Sequence, residues 1–185
     1  MSIASLFALM LYACVIAACL AAGRATFTAP ARNGDRLHWF AASAVFIGLA
    51  AARLVGAEDR IRVALRSAIT EAGEYGERAI WQAPLAIAAL IAGFVAFILL
   101  ARGWSRIIPG SRMRYVMIAR AGLLVLAGLT VLRLVSFHQT DQLLYSGPIR
   151  LNWLGEGVAC LLVGVPAALY ARMSARRSRA MRQPQ

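Results

Sequence analysis

Residues 3–22 read IASLFALMLYACVIAACLAA, twenty positions without a single charged group. Coiled as a helix they reach about 30 Å, the thickness of the hydrocarbon core of a bilayer. Lipid offers nothing to an open backbone, so a chain that enters it must satisfy its own N–H and C=O groups by forming a helix. The rest of the chain agrees with this start. Of its 185 residues 61% are apolar and only 15% charged, with a mean hydropathy of +0.66. A soluble domain is usually about half apolar and a quarter charged. Ile16-Ala17-Ala18-Cys19 has the form of a lipoprotein cleavage box. The first five residues lack the positive charge that export signals carry, however, and the segment reads as a permanent span.

Four further apolar runs follow, at about 37–55, 84–101, 115–135 and 152–170. Pro84 opens one of them, where a first-turn N–H has no helical partner to lose, and Pro166 is expected to kink the last. Residues 57–72 differ in kind. Ile61, Ala64, Leu65, Ala68, Ile69 and Ala72 fall on one helical stripe with Arg60, Arg62 and Arg66 off it, a pattern for a helix lying in the interface or over the ends of the spans. Residues 23–36 read as a polar loop, and residues 172–185 as a frayed basic tail on the cytoplasmic side. The expected fold is therefore all-α: an integral membrane helical bundle of five transmembrane helices plus one interfacial amphipathic helix, a single unit over residues 1–171. Ala13, Ala17 and Ala21, then Ala44, Gly48 and Ala52, then Ala88, Ala92 and Ala96, form small-residue faces suited to close helix packing.

The formal net charge of +12 comes from twenty Arg with no Lys, and these cations sit between apolar runs rather than on one folded face. That distribution argues for membrane topology and against a nucleic-acid partner. The loop after the first span, the loop after the third and the tail carry three, four and five arginines, against Asp35 alone. Short arginine-rich segments stay in the cytoplasm. The expected orientation is N-terminus outside and C-terminus inside, in a bacterium the inner membrane. Most of the acids then gather at the outer face.

At that face Arg53, Arg133, His138, Asp141 and Glu156 form the candidate cluster, either a ligand-binding site or a structural ion cluster. Ionisable groups at membrane depth need partners, and Glu156 is expected to pair with Arg133, Arg53 or both. Ser136, His138 and Asp141 have the residue types of a hydrolase triad, but they occupy one short turn without a nucleophile elbow, whereas triad members converge from separate elements. His38 and His138 belong to opposite faces and cannot share a haem within one chain. Cys14, Cys19 and Cys160 lack metal or disulfide spacing and read as small buried hydrophobes, with a Cys14–Cys160 contact open to them. No GxGxxG, Walker loop or HExxH occurs, so neither cofactor nor metal is expected.

The order Trp39-Phe40, Arg53, Glu58-Asp59-Arg60, Arg66, Tyr75, Arg78 and Gln82, then Ser136-Phe137-His138, Asp141, Asn152-Trp153 and Glu156, resembles a group of small multi-spanning bacterial inner-membrane proteins with no assigned activity. The likeness covers spans two to five. It implies neither reaction nor cofactor, and directs attention to the outer polar cluster. The function expected is that of a non-enzymatic accessory or scaffold subunit, associating with other membrane proteins or with further copies of itself. The alternative is a small-ligand binder, sensor or transporter using the outer cluster.

Overall fold

The computed structural model describes residues 3–28, 33–57, 60, 63, 93, 95, 98, 102, 111–135 and 151–180. Four helices carry the described architecture: α1 (Ile3–Thr28), α2 (Asn33–Val55), α3 (Met113–Val135) and α4 (Leu151–Ala180). Each is long and apolar enough to cross a membrane, and no strand occurs among the described residues. Most of the segments expected as an interfacial helix (57–72) and as a third span (84–101) lie outside the described residues.

Three of the elements outrun their apolar cores. α1 continues through Gly23 to Thr28, and α2 begins at Asn33, so most of the expected 23–36 loop is helical. Gly23 permits this because the Phe40 ring lies where its side chain would be, with an added Cβ only 3.1 Å from the ring. Thr26 Oγ1 then donates back to the Gly23 carbonyl at 2.6 Å, keeping its own polar group satisfied inside the helix. At the other end α4 runs on to Ala180, so residues 171–180 are helical rather than frayed. Ala, Met and Arg are good helix formers, and Arg177 and Arg179 fall in the last turn, where the helix dipole favours cations. Pro166 sits inside α4 without ending it.

The core follows the helical period. α1 contributes Tyr12, Val15, Cys19, Ala22 and Thr26, alternately three and four residues apart, which draws one straight seam down the helix. Facing it are Trp39, Ala42 and Phe46 of α2, Val116, Ala119 and Leu126 of α3, and Ala159, Cys160, Val163, Ala167 and Tyr170 of α4. α4 packs against both α1 and α3, while α2 packs mainly on α1 and touches α3 sparingly. At the α3–α4 crossing Gly122 is the reason the backbones approach: a Cβ there would lie 2.8 Å from Leu162 Cβ and 3.1 Å from the Ala159 carbonyl. The glycines that pack are thus Gly23, Gly122, Gly155 and Gly164.

The small-residue faces expected on α1 and α2 point the other way, while Ala88, Ala92 and Ala96 lie outside the described residues. Ala13, Ala17 and Ala21 are exposed, and so are Ala44 and Gly48. On α1 the buried seam and the alanine strip stand on opposite sides of the helix, because a 100° step puts 13, 17 and 21 about half a turn from 12, 15 and 19. Cys14 is likewise exposed while Cys160 is buried, which removes the Cys14–Cys160 contact and corrects the buried reading of Cys14. No more than 39% of any span's apolar window is buried, so much of the outer surface is free to meet lipid or other helices.

Contacts also fix direction. Tyr12 meets Phe46 and Phe27 meets Phe40, so α1 and α2 are antiparallel. Tyr12 meets Glu156 and Val15 meets Gly164, so α1 and α4 are parallel. Arg112 meets Ser174 and Leu129 meets Gly155, so α3 and α4 are antiparallel. It follows that α2 and α3 run the same way, with the end of α2 and the start of α3 at opposite ends of the bundle.

Gly122→Leu is expected to destabilise the protein by about 1–3 kcal/mol or more through overpacking against backbone, read as a lowered unfolding temperature in detergent. Gly48→Leu should stay within about 0.5 kcal/mol of the parent, as expected for a surface position, because nothing stands within 4 Å of its Cβ.

Candidate functional site

α2 stops where it does because Gly56 adopts a φ of +65°, the left-handed conformation that glycine reaches without strain. Its N–H returns to the Arg53 carbonyl at 3.3 Å. This stop leaves Arg53 in the last turn of α2, where the helix dipole favours a cation. Arg53 reaches across the bundle, and its Nη1 donates to Glu156 Oε1 of α4 at 2.5 Å. Tyr12 of α1 donates its hydroxyl to the same carboxylate oxygen and accepts from Arg53 Nη1 at 3.2 Å. Three helices thus meet in one set of hydrogen bonds.

Burial makes this set energetically consequential. Glu156 is 5% exposed and Tyr12 3%, whereas the Arg53 side chain keeps 22% of its surface open. A carboxylate removed from water is costly alone, and attraction to a guanidinium offsets that cost only when further hydrogen bonds fill its lone pairs. The Tyr12 hydroxyl supplies such a bond. The Arg53 guanidinium also stands 5.8 Å from the centre of the Tyr12 ring, close enough for a cation–π contribution. Phe46 closes the lower side, edge-on to Tyr12 at 5.7 Å. Chemically the group centres on an acid–base pair, Arg53 with Glu156, whose carboxylate also accepts from the Tyr12 hydroxyl.

Of the five residues named from the sequence, the structure brings Arg53 and Glu156 together. Arg133 lies in the last turn of α3, in the same half of the bundle by helix direction, but only its backbone is described. His138 and Asp141 lie outside the described residues. Tyr12 went unnamed although a signal for it exists: one hydroxyl near the middle of a 20-residue apolar run should face the bundle interior rather than lipid. Among the described residues no three His, Cys, Asp or Glu side chains gather into a group able to hold a metal ion.

A second polar layer lies some 14 residues along α4, roughly 21 Å away at 1.5 Å per residue. Tyr170 donates to Asp35 Oδ2 at 3.1 Å, and Arg112 donates to Ser174 Oγ at 3.2 Å. Sequence reasoning grouped none of these. Their partners stand far apart in the chain, and only the antiparallel return of α3 on α4 brings Arg112 to Ser174. Comparison of the chain with known protein families, curated proteins and solved structures found no match.

Glu156→Gln is expected to lower stability by about 3 kcal/mol, since it strands a largely desolvated guanidinium. Tyr12→Phe should cost about 1–2 kcal/mol as a lost buried hydrogen bond. Replacing Arg53 and Glu156 together by Met should recover much of the single-variant loss, measured by equilibrium unfolding in detergent.

Proposed function

We propose that the protein is a non-enzymatic, multi-pass accessory or scaffold subunit of the bacterial inner membrane, which holds other membrane proteins through the outward faces of α1 and α2. The observation that supports this reading most is the direction of the small-residue strips. Ala13, Ala17 and Ala21 on α1, and Ala44 and Gly48 on α2, are turned away from their own bundle. In lipid, where the hydrophobic effect does not drive helix pairing, such strips allow another helix to approach closely enough for dispersion and Cα–H contacts. Tyr12, Arg53 and Glu156 join three helices through mutual hydrogen bonds, which suits a clamp between helices better than a catalytic group.

A five-span topology with the N-terminus outside belongs to this reading. Because α2 and α3 run in the same direction, the 57 residues between them (56–112) must return from one end of the bundle to the other. A single crossing by the apolar run at 84–101 does this with the fewest assumptions, and the arginine distribution assigns the Arg112–Tyr170 end to the cytoplasm. The acids of residues 57–82 then face outward.

One observation favours a second reading, a small-ligand binder at the outer cluster: the Arg53 side chain is paired with Glu156 yet keeps 22% of its surface open, so a carboxylate or phosphate ligand could exchange with Glu156. Ligand-dependent thermal stabilisation that disappears in Glu156→Gln would select this reading over the first.

For the leading reading, co-purification in mild detergent should recover a defined partner, and Ala17→Leu with Gly48→Leu should abolish recovery without lowering the unfolding temperature of the isolated protein. For the topology, single cysteines at Glu74 and Gln185 in a chain otherwise free of cysteine should label from opposite sides of the membrane. Labelling from one side would remove the five-span arrangement.

A further inference from the structure

Past Tyr170, where its apolar run ends, α4 stays helical through Ala180, and the bundle fixes which way this extension faces. Tyr170 and Ser174 are fully buried, and Ala171 packs against the same core. Arg112 of α3 donates to Ser174 Oγ at 3.2 Å, and the Tyr170 hydroxyl donates to Asp35 of α2. Residues 170, 171 and 174 thus form the inner side of the extension. Arg172, Arg176 and Arg179 are exposed. At about 100° per residue they fall within an arc of about 60° on the opposite side. Arg177, also exposed, stands on a flank.

This is more order than topology demands. Arginines that mark the cytoplasmic side act by their number near a span, and a frayed tail would serve as well. Here three are lined up on one face of a helix whose other face is anchored. Residues 157–185 contain neither Asp nor Glu. Asp35, the acid on the neighbouring helix, is buried and engaged by Tyr170. Among the described residues no ion pair holds any of the three arginines.

Position says which anions the face meets. From Tyr170 to Arg179 the helix rises about 13 Å. A head-group layer extends roughly 5–7 Å beyond the hydrocarbon, and its charge is felt about 8–10 Å further. Measured along α4, the stripe begins inside that layer and ends within one Debye length of it. Two more cations belong to the same rim, because α1 ends and α2 begins at this end of the bundle. Arg24 is exposed, and Arg36 stands 4.0 Å over the ring of Phe27, itself 62% exposed. A guanidinium laid on an open aromatic ring suits the boundary of lipid and water.

We propose that the Arg172–Arg176–Arg179 face of α4, with Arg24 and Arg36 beside it, is a docking surface for the head groups of anionic phospholipids. Planar guanidinium groups match phosphate oxygens two at a time. The inference rests on α4 crossing a bilayer, and is independent of the scaffold reading and of the number of spans.

The test places the full chain in phosphatidylcholine nanodiscs and compares spin-labelled phosphatidylglycerol with spin-labelled phosphatidylcholine by the share of each that the protein immobilises. Phosphatidylglycerol is expected to be preferred by about fivefold or more. The preference should shrink at about 1 M salt, where screening shortens to about 3 Å. Arg176→Gln should lower it by about twofold or more, while Arg177→Gln, one residue away on the flank, leaves it nearly unchanged. Arg172→Gln, Arg176→Gln and Arg179→Gln combined should bring it close to parity; if that variant fails to fold, the two single variants decide. The surface is overturned by no preference for phosphatidylglycerol, by a preference that high salt or the combined variant leaves intact, or by equal losses in Arg176→Gln and Arg177→Gln. Polyglutamate that displaces the labelled phosphatidylglycerol completely at equal charge would assign the face to an acidic protein and overturn the lipid assignment.

Discussion

A buried carboxylate in a helix bundle apolar enough for a membrane has few ways to exist, and Glu156 takes one of them. Arg53 neutralises it and Tyr12 fills a lone pair of the same oxygen. Because the three groups come from α4, α2 and α1, the requirement to satisfy one charge sets the register of three helices at once. Sliding any of them by a turn, about 5.4 Å, would break the set and expose a charge to hydrocarbon. Apolar packing alone is less selective, since Leu and Val find similar partners at several registers and lipid competes for them equally.

The rest of the bundle can be read from that constraint. With α1 and α4 pinned side by side and parallel, the seam of Tyr12, Val15, Cys19 and Ala22 meets Ala159, Cys160 and Val163. Small side chains dominate this contact, so the helices draw close, and Gly164 accepts the Val15 side chain. α3 then comes in against the far side of α4 through Gly122. Towards the start of α2 the core becomes aromatic, with Trp39 packed between the His38 and Tyr170 rings.

The two polar layers are built alike: in each a tyrosine hydroxyl donates to a carboxylate near an arginine, Tyr12 to Glu156 with Arg53, and Tyr170 to Asp35 with Arg112 over the Tyr170 ring. A closed ion pair is the cheapest state for charge inside hydrocarbon. Cations with aromatic neighbours are stable at a membrane boundary, where head-group anions and water are at hand.

The sequence by itself determined that the chain is helical and suited to a membrane, because uncharged runs of about twenty residues leave the backbone no alternative in lipid. It also determined that Glu156 needs a cation, and it named Arg53 among two choices. Only the tertiary structure decided that Tyr12 completes the pair, because a hydroxyl inside an apolar run points to the bundle interior without naming its partner there. It decided, too, that the alanine strips of α1 and α2 look outward while Gly122 and Gly164 do the packing. Spacing every four residues marks a face of a helix, yet which face meets the core depends on partners distant in the chain. The same distance hid the Asp35–Tyr170 and Arg112–Ser174 contacts, which arise only when helices far apart in sequence are laid side by side.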